Sequence, residues 1–306
     1  MKTKHSAMIS IIGGCVLFVA VVFWANQGFT QPADVIEQIG TNGKVNWSAG
    51  IVEATGIGAP PERFYGKPQA RPMALRAAQV DAYRNLLEIV KGVRVDAATE
   101  VRDFTVSNDV IRAQVEGLVK GAQVVKRDYL SDGTVEVTLR MSLNGDFAQA
   151  VLPIPRVLKS EQFDRAAPPI APQPAAAVPA GPQITTPAAP SSGVVFTGMV
   201  VDARGIQARP AMSPKIVDEA GQEVYGSMLV DREFAVQQGM SGYARDLTAA
   251  QSNPRVTNNP ITVKGIKTDG PGRANIIISN DDAGKIRSAS ENLTFMKKAR
   301  VMIVLD

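Results

Sequence analysis

The middle of the chain is rich in proline and alanine, and this feature restricts how the protein can fold more than any other. Proline and alanine fill most of residues 166–192, and no charged residue occurs between Arg165 and Asp202. Such a segment cannot bury a hydrophobic core and favours extended, polyproline-like conformations. We therefore predict a linker over residues 160–193 that joins two folded parts. At ~3.1 Å per residue, residues 166–192 could reach roughly 80 Å. The linker is therefore either a spacer that separates the parts or a passive connection.

The N-terminus combines a short basic start with a long apolar run. Lys2 and Lys4 precede residues 7–25, which are all apolar or small. A helix of this run is about 28 Å long, close to the hydrocarbon thickness of a bilayer, and the two lysines favour the cytoplasmic side. We predict export, with residues 1–25 as a signal peptide or an inner-membrane anchor. Cys15 follows a lipobox-like sequence, but the apolar residues continue beyond it, so we interpret it as an ordinary residue of the span.

Histidine and cysteine are nearly absent. The 306 residues include one of each, His5 and Cys15, both within or before the apolar run. The rest of the chain therefore has no thiolate nucleophile, no imidazole base and no Ser-His-Asp triad, and no zinc site built on these residues. The net charge of +4 is small for this length, and no basic cluster indicates nucleic-acid binding. We predict a protein that is not an enzyme and has no cofactor or metal.

Residues 44–159 are predicted to form a mixed α/β domain, after a polar connector over residues 26–43. Residues 44–55 alternate in the manner of a strand. Residues 56–72 include four prolines and are interpreted as a loop. Their Gly56-Ile57-Gly58 sequence lacks the third glycine of a dinucleotide-binding turn. Residues 72–91 are the clearest helix, because their apolar residues recur at three and four positions. These residues are Leu75, Ala78, Ala82, Leu86 and Ile89.

The remainder of this domain alternates between strand and helix patterns. Residues 93–101 are predicted to form a strand and residues 108–120 a second helix. Two alternating strands over residues 121–130 and 134–143 flank an Asp-Gly turn, which is typical of a hairpin. The order β-α-β-α-β-β predicts a sheet with helices on one face. The second helix is expected to bury Val110, Ile111, Val115 and Leu118.

Residues 194–306 are predicted to form a second α/β domain. An acidic, Ser-initiated first turn indicates a helix over residues 279–288, and a further helix is expected over residues 292–298. The predicted strands are residues 194–201, 261–268, 274–279 and 301–305.

Two groups of residues are candidate binding sites. Val80, Tyr83 and Leu87 form a second, minor apolar stripe on the first helix, which either packs under the neighbouring loop or is a face for a partner or for self-association. Arg204 and Arg209 lie in one loop and could bind a carboxylate or a peptidoglycan anion. The simpler interpretation of this loop is a turn with solvated arginines.

Two pairs of adjacent carboxylates are the remaining candidates for chemistry. Asp218 and Glu219 lie in a predicted turn, and Asp281 and Asp282 lie at a predicted helix start. Glycoside hydrolysis requires two carboxylates that face each other across a cleft, and the sequence alone does not place any of these residues so. A hydrolase is the last of our hypotheses.

The Ala-rich helix sequence of residues 74–88, with residues 93–95, Thr99 and residues 119–125, resembles a bacterial envelope domain. That domain is shared by a small outer-membrane lipoprotein family and the N-terminal part of flagellar assembly protein T. The resemblance covers roughly residues 47–150 and implies a non-catalytic domain of the periplasm or outer membrane that acts through protein contacts. The chain departs from the lipoproteins because it has no sound lipobox. Its second half resembles the companion domain of uncharacterised envelope proteins.

Together, these patterns predict an α+β protein of two small mixed α/β domains, preceded by one hydrophobic helix. The predicted function is that of a structural or assembly factor in the periplasm. Its expected partners are other envelope proteins, with outer-membrane or flagellar basal-body components as candidates, and the inner membrane if the helix is uncleaved. The alternative is a module that binds peptidoglycan or another anionic glycan.

Overall fold

The computed structural model describes residues 33–152, 195–288 and 292–306. The predicted hydrophobic helix over residues 1–25 and the whole of the predicted linker over residues 160–193 lie outside these ranges. No helix within the described ranges is long and apolar enough to cross a membrane. Residues 34–306 form one compact unit, so the parts before and after residues 153–194, here called the first and second halves, lie against each other.

The predicted mixed α/β class is confirmed, because each half contains a sheet and several helices. The sheet of the first half has five antiparallel strands in the order β1-β2-β3-β5-β4. Its strands are β1 (Ile36–Gln38), β2 (Gly43–Asn46), β3 (Ile51–Gly58), β4 (Gln123–Tyr129) and β5 (Val135–Ser142). The helices of this half are α1 (Ala70–Lys91), α2 (Val101–Ser107), α3 (Asp109–Lys120) and α4 (Asp146–Val151).

Helix α1 is the centre of the first half and lies across the sheet. The predicted helix is confirmed and ends at Lys91 as expected. Four of the five residues of the predicted stripe are buried, whereas Leu75 is half-buried at the edge of the core. The four are Ala78, Ala82, Leu86 and Ile89.

The predicted single strand over residues 44–55 was wrong, because this segment is a hairpin. A turn over residues 47–50 separates β2 from β3, and Gly50 in it has a φ of +65° that glycine adopts without strain. Strand β3 then continues to Gly58, where we expected a loop. The two glycines of that segment are strand residues that face α1.

The predicted strand over residues 93–101 was also wrong. Val93 and Val95 are buried as in a strand, but the Asp96 side chain accepts hydrogen bonds from the backbone N–H groups of Ala98 and Thr99. This local turn competes with a sheet ladder. Glu100 and Asp103 then form a reciprocal capping box that starts α2. Of the four residues that the second predicted helix was expected to bury, Val115 is buried, Ile111 and Leu118 are half-buried and Val110 is 65% exposed. Val119 is buried instead.

The sheet of the second half has seven strands in the order β8-β7-β11-β10-β6-β12-β9. Parallel pairing joins β10, β6, β12 and β9, and it also joins β11 to β7. The predicted strand pair around residues 269–272 is confirmed as the antiparallel pair β10 and β11. The strands are β6 (Gly198–Asp202), β7 (Ile216–Asp218), β8 (Glu223–Tyr225), β9 (Gly242–Ala244), β10 (Pro260–Asp269), β11 (Asn275–Ile278) and β12 (Val301–Val304).

Both predicted helices of the second half are present. The first begins after Ser279, whose hydroxyl accepts a hydrogen bond from the Asp282 N–H, as an N-cap residue does. Strands β7 to β9 and two short helices were not predicted, because segments of three to seven residues are too short for a periodic pattern. The helices are α5 (Arg232–Gln238), α6 (Leu247–Gln251), α7 (Asn280–Arg287) and α8 (Asn292–Lys297).

Candidate functional site

The five-stranded sheet has one face covered by helices and one face open, here called the open sheet face. Along β3, the buried residues Val52 and Ala54 face the helices, and the intervening side chains face outward. The open sheet face encloses a broad depression of about 580 Å³. Residues that line it on strands β2, β3, β5 and β4 are Lys44, Glu53, Thr55, Lys126, Glu136 and Thr138.

Ion pairs run across the open sheet face. Glu53 on β3 accepts from Lys44 Nζ at 3.0 Å and from Arg140 Nη2 at 2.5 Å, so one carboxylate joins three strands. Partial burial raises the pKa of Glu53, but the hydrogen bonds from Arg140 and Lys44 outweigh it and bring the pKa below its ordinary value. The hydroxyls of Thr55 and Thr138 lie 3.1 Å apart on the same face. These cross-strand pairs fix the positions of the polar side chains.

Apolar side chains lie among these charges. Ile57 on β3 is 50% exposed, and Val125 on β4 is 40% exposed, where the register of β4 against β5 shifts between Val124 and Lys126. Strand β4 is also an edge of its sheet. An edge strand presents unpaired backbone groups to which another chain can add a strand. The surface thus presents charged side chains, apolar side chains and unpaired backbone groups close together.

A second cluster lies where the two halves meet, with Glu37 of β1 at its centre. Its carboxylate accepts from Arg94 Nη2 at 2.5 Å, from Arg209 Nη2 at 2.6 Å and from Trp47 Nε1 at 3.1 Å. Desolvation raises the pKa of Glu37, but Arg94, Arg209 and Trp47 outweigh it and bring the pKa below its ordinary value. The Arg94 side chain also donates to the carbonyl of Pro210 at 2.9 Å. Sequence reasoning missed Glu37, because it lies in a three-residue strand inside the predicted connector.

Tyr243 of the second half makes the other main contacts at this junction. Its hydroxyl donates to the Ala211 carbonyl at 2.6 Å and accepts from the Ala211 N–H at 2.9 Å. Its backbone carbonyl accepts from the Ser48 hydroxyl of the first half at 2.8 Å. Its ring meets Trp47 edge to face, with centroids 5.9 Å apart. The contacts with Ser48 and Trp47 join the two halves, whereas those with Ala211 hold Tyr243 in place within the second half.

The predicted partner-binding face on α1 is only partly accessible. Val80 is 56% exposed, whereas Tyr83 and Leu87 are half-buried and pack against the core. The three side chains therefore do not form a continuous apolar surface. The alternative predicted for this stripe was packing under the loop of residues 56–72, the start of which is strand β3.

Both arginines of the predicted anion-binding loop have carboxylate partners within the fold. Arg204 binds Asp202 through Nε at 2.8 Å and Nη2 at 3.0 Å, and Lys264 Nζ lies 3.3 Å from the same carboxylate. The hydrogen bonds from Arg204 hold the pKa of Asp202 well below its usual range. Arg209 binds Glu37, as described above. Neither guanidinium is left without an internal anion.

Three of the four carboxylates in the two adjacent pairs are likewise engaged in the fold. Asp218 is 3% exposed and accepts from Arg287 Nη1 at 2.8 Å. Glu219 accepts from the backbone N–H of Asn280 at the start of α7, and Asp282 pairs with Lys285 at 2.8 Å. Within residues 33–152, 195–288 and 292–306, no group of three or more His, Cys, Asp or Glu side chains is arranged to hold a metal ion.

Comparison with known proteins relates the second half to one family. Residues 198–306 match the family described as Treponema pallidum Tp0624, second domain. The match begins at the first residue of β6, so it covers the seven-stranded sheet and leaves the five-stranded sheet outside. No curated protein matches the chain.

Proposed function

We propose that the chain is a non-catalytic, exported cell-envelope protein that acts by binding other envelope proteins through the open sheet face. The observation that carries the proposal is the sheet covered by helices on one face only, with Ile57 and Val125 exposed among fixed charges on the other. An antiparallel sheet is often solvated on one face, but here the exposed apolar side chains adjoin an edge strand that can accept another strand. We continue to propose that the N-terminal segment directs export.

The glycan-binding alternative depended on free guanidinium groups at Arg204 and Arg209. Since both are bound to carboxylates of the same chain, a glycan anion would have to displace Asp202 or Glu37. Protein contacts are therefore the function that the geometry supports better.

Site-specific photo-crosslinking in cells tests the proposed surface. A photoreactive phenylalanine analogue is placed at Ile57 on the open sheet face, at Val80 on α1 and at Met228, a control position of the second half that is 75% exposed. Captured proteins are identified by mass spectrometry. We expect an exported protein to be captured from position 57 and not from position 228. Capture from position 80 alone would move the interface to α1, and capture from neither would contradict a protein-binding function.

A fusion experiment tests the proposed location separately. Alkaline phosphatase, which is active only after export, is joined behind Asp306. We expect activity with the natural N-terminus and none after removal of residues 1–25. Activity without those residues would contradict the role of this segment in export.

A further inference from the structure

A cavity of about 80 Å³ lies between the two halves of the chain. Space for one water molecule is about 10–15 Å³, so the cavity has room for several waters or a ligand of a few heavy atoms. Its apolar lining comes from both halves. This lining includes Trp47, Leu143, Ala148, Leu152, Met212 and Met240.

Arg255 brings a positive charge to the cavity wall without an acidic partner. Its guanidinium is mostly buried and donates to the backbone carbonyls of Gly239, Ala299 and Gln238. Among the described residues, no carboxylate lies within ion-pair distance of it, in contrast to Arg94, Arg204 and Arg209. Desolvation lowers the pKa of this guanidinium. A buried charge that has no counter-ion is unfavourable, and a bound anion would remove that penalty.

Part of the guanidinium remains available for a ligand. Of its five N–H groups, three are used by the three carbonyls, which leaves Nε–H and one N–H on Nη2 without an acceptor in the described part of the chain. The Nε atom of Arg255 lies close to Gly242, since a Cβ atom at position 242 would be only 3.3 Å from it. Two N–H groups on the same side of a guanidinium are arranged to bind a carboxylate through two parallel hydrogen bonds.

A polar side chain without a partner lines the same cavity. The Ser241 hydroxyl oxygen is buried and makes no hydrogen bond of good geometry in the described structure. It lies beside the Tyr243 hydroxyl, which is already bonded to both backbone groups of Ala211. A buried polar group without a partner is unfavourable, so a ligand that accepts its hydrogen bond would be stabilising.

We propose that this cavity binds a small carboxylic acid with a short apolar chain. The carboxylate would accept from the free N–H groups of Arg255 and from the Ser241 hydroxyl, and the apolar chain would lie against Trp47 and Leu143. This site is independent of the open sheet face, because it lies at the junction of the halves. Its failure would leave the proposed function untouched.

The probe is propionate, which has five heavy atoms, and the control is propionamide, which has the same shape and no charge. Binding to the full chain is followed by NMR through the amide signals of Gly239 and Gly242, which both line the cavity. We expect saturable shifts with propionate and at least tenfold weaker binding of propionamide. Equal binding of the two, or shifts that do not saturate, would overturn the proposal.

Variants locate the site. Arg255→Gln should lose propionate binding at least tenfold, and the control Arg76→Gln, at an exposed position of α1, should leave it unchanged. Because Arg255 also binds three carbonyls of its own fold, that variant can fail to fold. Ser241→Ala removes a hydroxyl that makes no hydrogen bond of good geometry, so it should fold normally and weaken binding severalfold. If Arg255→Gln folds and binds propionate as well as the unchanged protein does, the proposal is overturned. If Arg255→Gln does not fold, unchanged propionate binding by Ser241→Ala would overturn the proposal.

Discussion

Gly56 on β3 and Ala82 on α1 approach so closely that a Cβ atom at position 56 would lie 2.0 Å from the Ala82 backbone nitrogen. In the same way, a Cβ atom at position 58 in place of Gly58 would lie 2.3 Å from the backbone nitrogen of Ala78. The helix can rest directly on the strand because small residues meet on both sides of the contact. The two glycines, interpreted as part of a loop from the sequence, are thus required by the packing of the first half.

Replacing Gly56 by alanine tests this contact. Because the new methyl group would meet helix backbone, which cannot move aside as a side chain can, we expect the free energy of unfolding to fall by about 1–3 kcal/mol. Urea denaturation followed by circular dichroism measures the change. The matched control is Gly117→Ala on α3, where a Cβ atom meets nothing within 4 Å. That change should raise stability by about 0.5–1 kcal/mol, and equal effects at both sites would contradict the packing argument.

Glu37→Gln tests the buried cluster between the halves. The variant leaves the Arg94 charge, on a side chain only 8% exposed, without its carboxylate. Loss of one partner of a buried pair costs about 3–5 kcal/mol, and we expect a decrease of that size in urea denaturation. As a control, Lys285→Gln removes an exposed ion pair with Asp282 and should cause no measurable change. A similarly small effect at position 37 would mean that the junction does not depend on this cluster.

The free energy of unfolding should decrease in acid, and the direction of this change follows from the pKa of Glu37. The pKa of Glu37 is lower in the folded protein than its ordinary value of 4.5, so its contribution is complete above that value and is lost as the pH falls through the folded pKa. The pKa of Asp202 is also lowered, chiefly by the hydrogen bonds from Arg204, so its contribution to stability is likewise lost on acidification, at still lower pH. Urea midpoints between pH 7 and pH 3 should therefore decline below about pH 4.5. Glu37→Gln should have a shallower decline, and an identical slope would contradict the assignment.

Tyr243→Phe tests the hydrogen bonds that join Tyr243 to Ala211. Without the hydroxyl, the buried N–H and carbonyl of Ala211 both lose their partner, and we expect a loss of about 1–3 kcal/mol in the free energy of unfolding. Thermal unfolding monitored by near-ultraviolet circular dichroism is suited to the measurement, since the ring also contacts Trp47. Tyr65→Phe, at a side chain 55% exposed, is the control and should be neutral.

The sequence predicted those elements whose own side chains specify them. Helix α1 follows from its period of apolar residues, the hairpin of β4 and β5 from the Asp-Gly turn, and α7 from the Ser279 cap with two acidic residues behind it. In each case, the interactions that decide the conformation lie within a few residues along the chain. The α+β class followed from the succession of these patterns.

The same local reasoning failed where distant groups decide. Gly56 suggested a loop because its partner, Ala82, cannot be known before the helix is placed. The arginines at positions 204 and 209 suggested an anion site because their carboxylates are identifiable only in the folded chain.

By itself, the sequence determined the fold class, the main helices and hairpin, and the near absence of histidine and cysteine that limits the available chemistry. Only the tertiary structure decided that the two halves form one compact unit, which face of the first sheet is open, and which charges have partners. The physical reason is the distance along the chain between the residues that interact. Helix periodicity, caps and turns are set by neighbours within about four residues, whereas the hydrogen bond from Arg209 to Glu37 joins residues that are 172 positions apart.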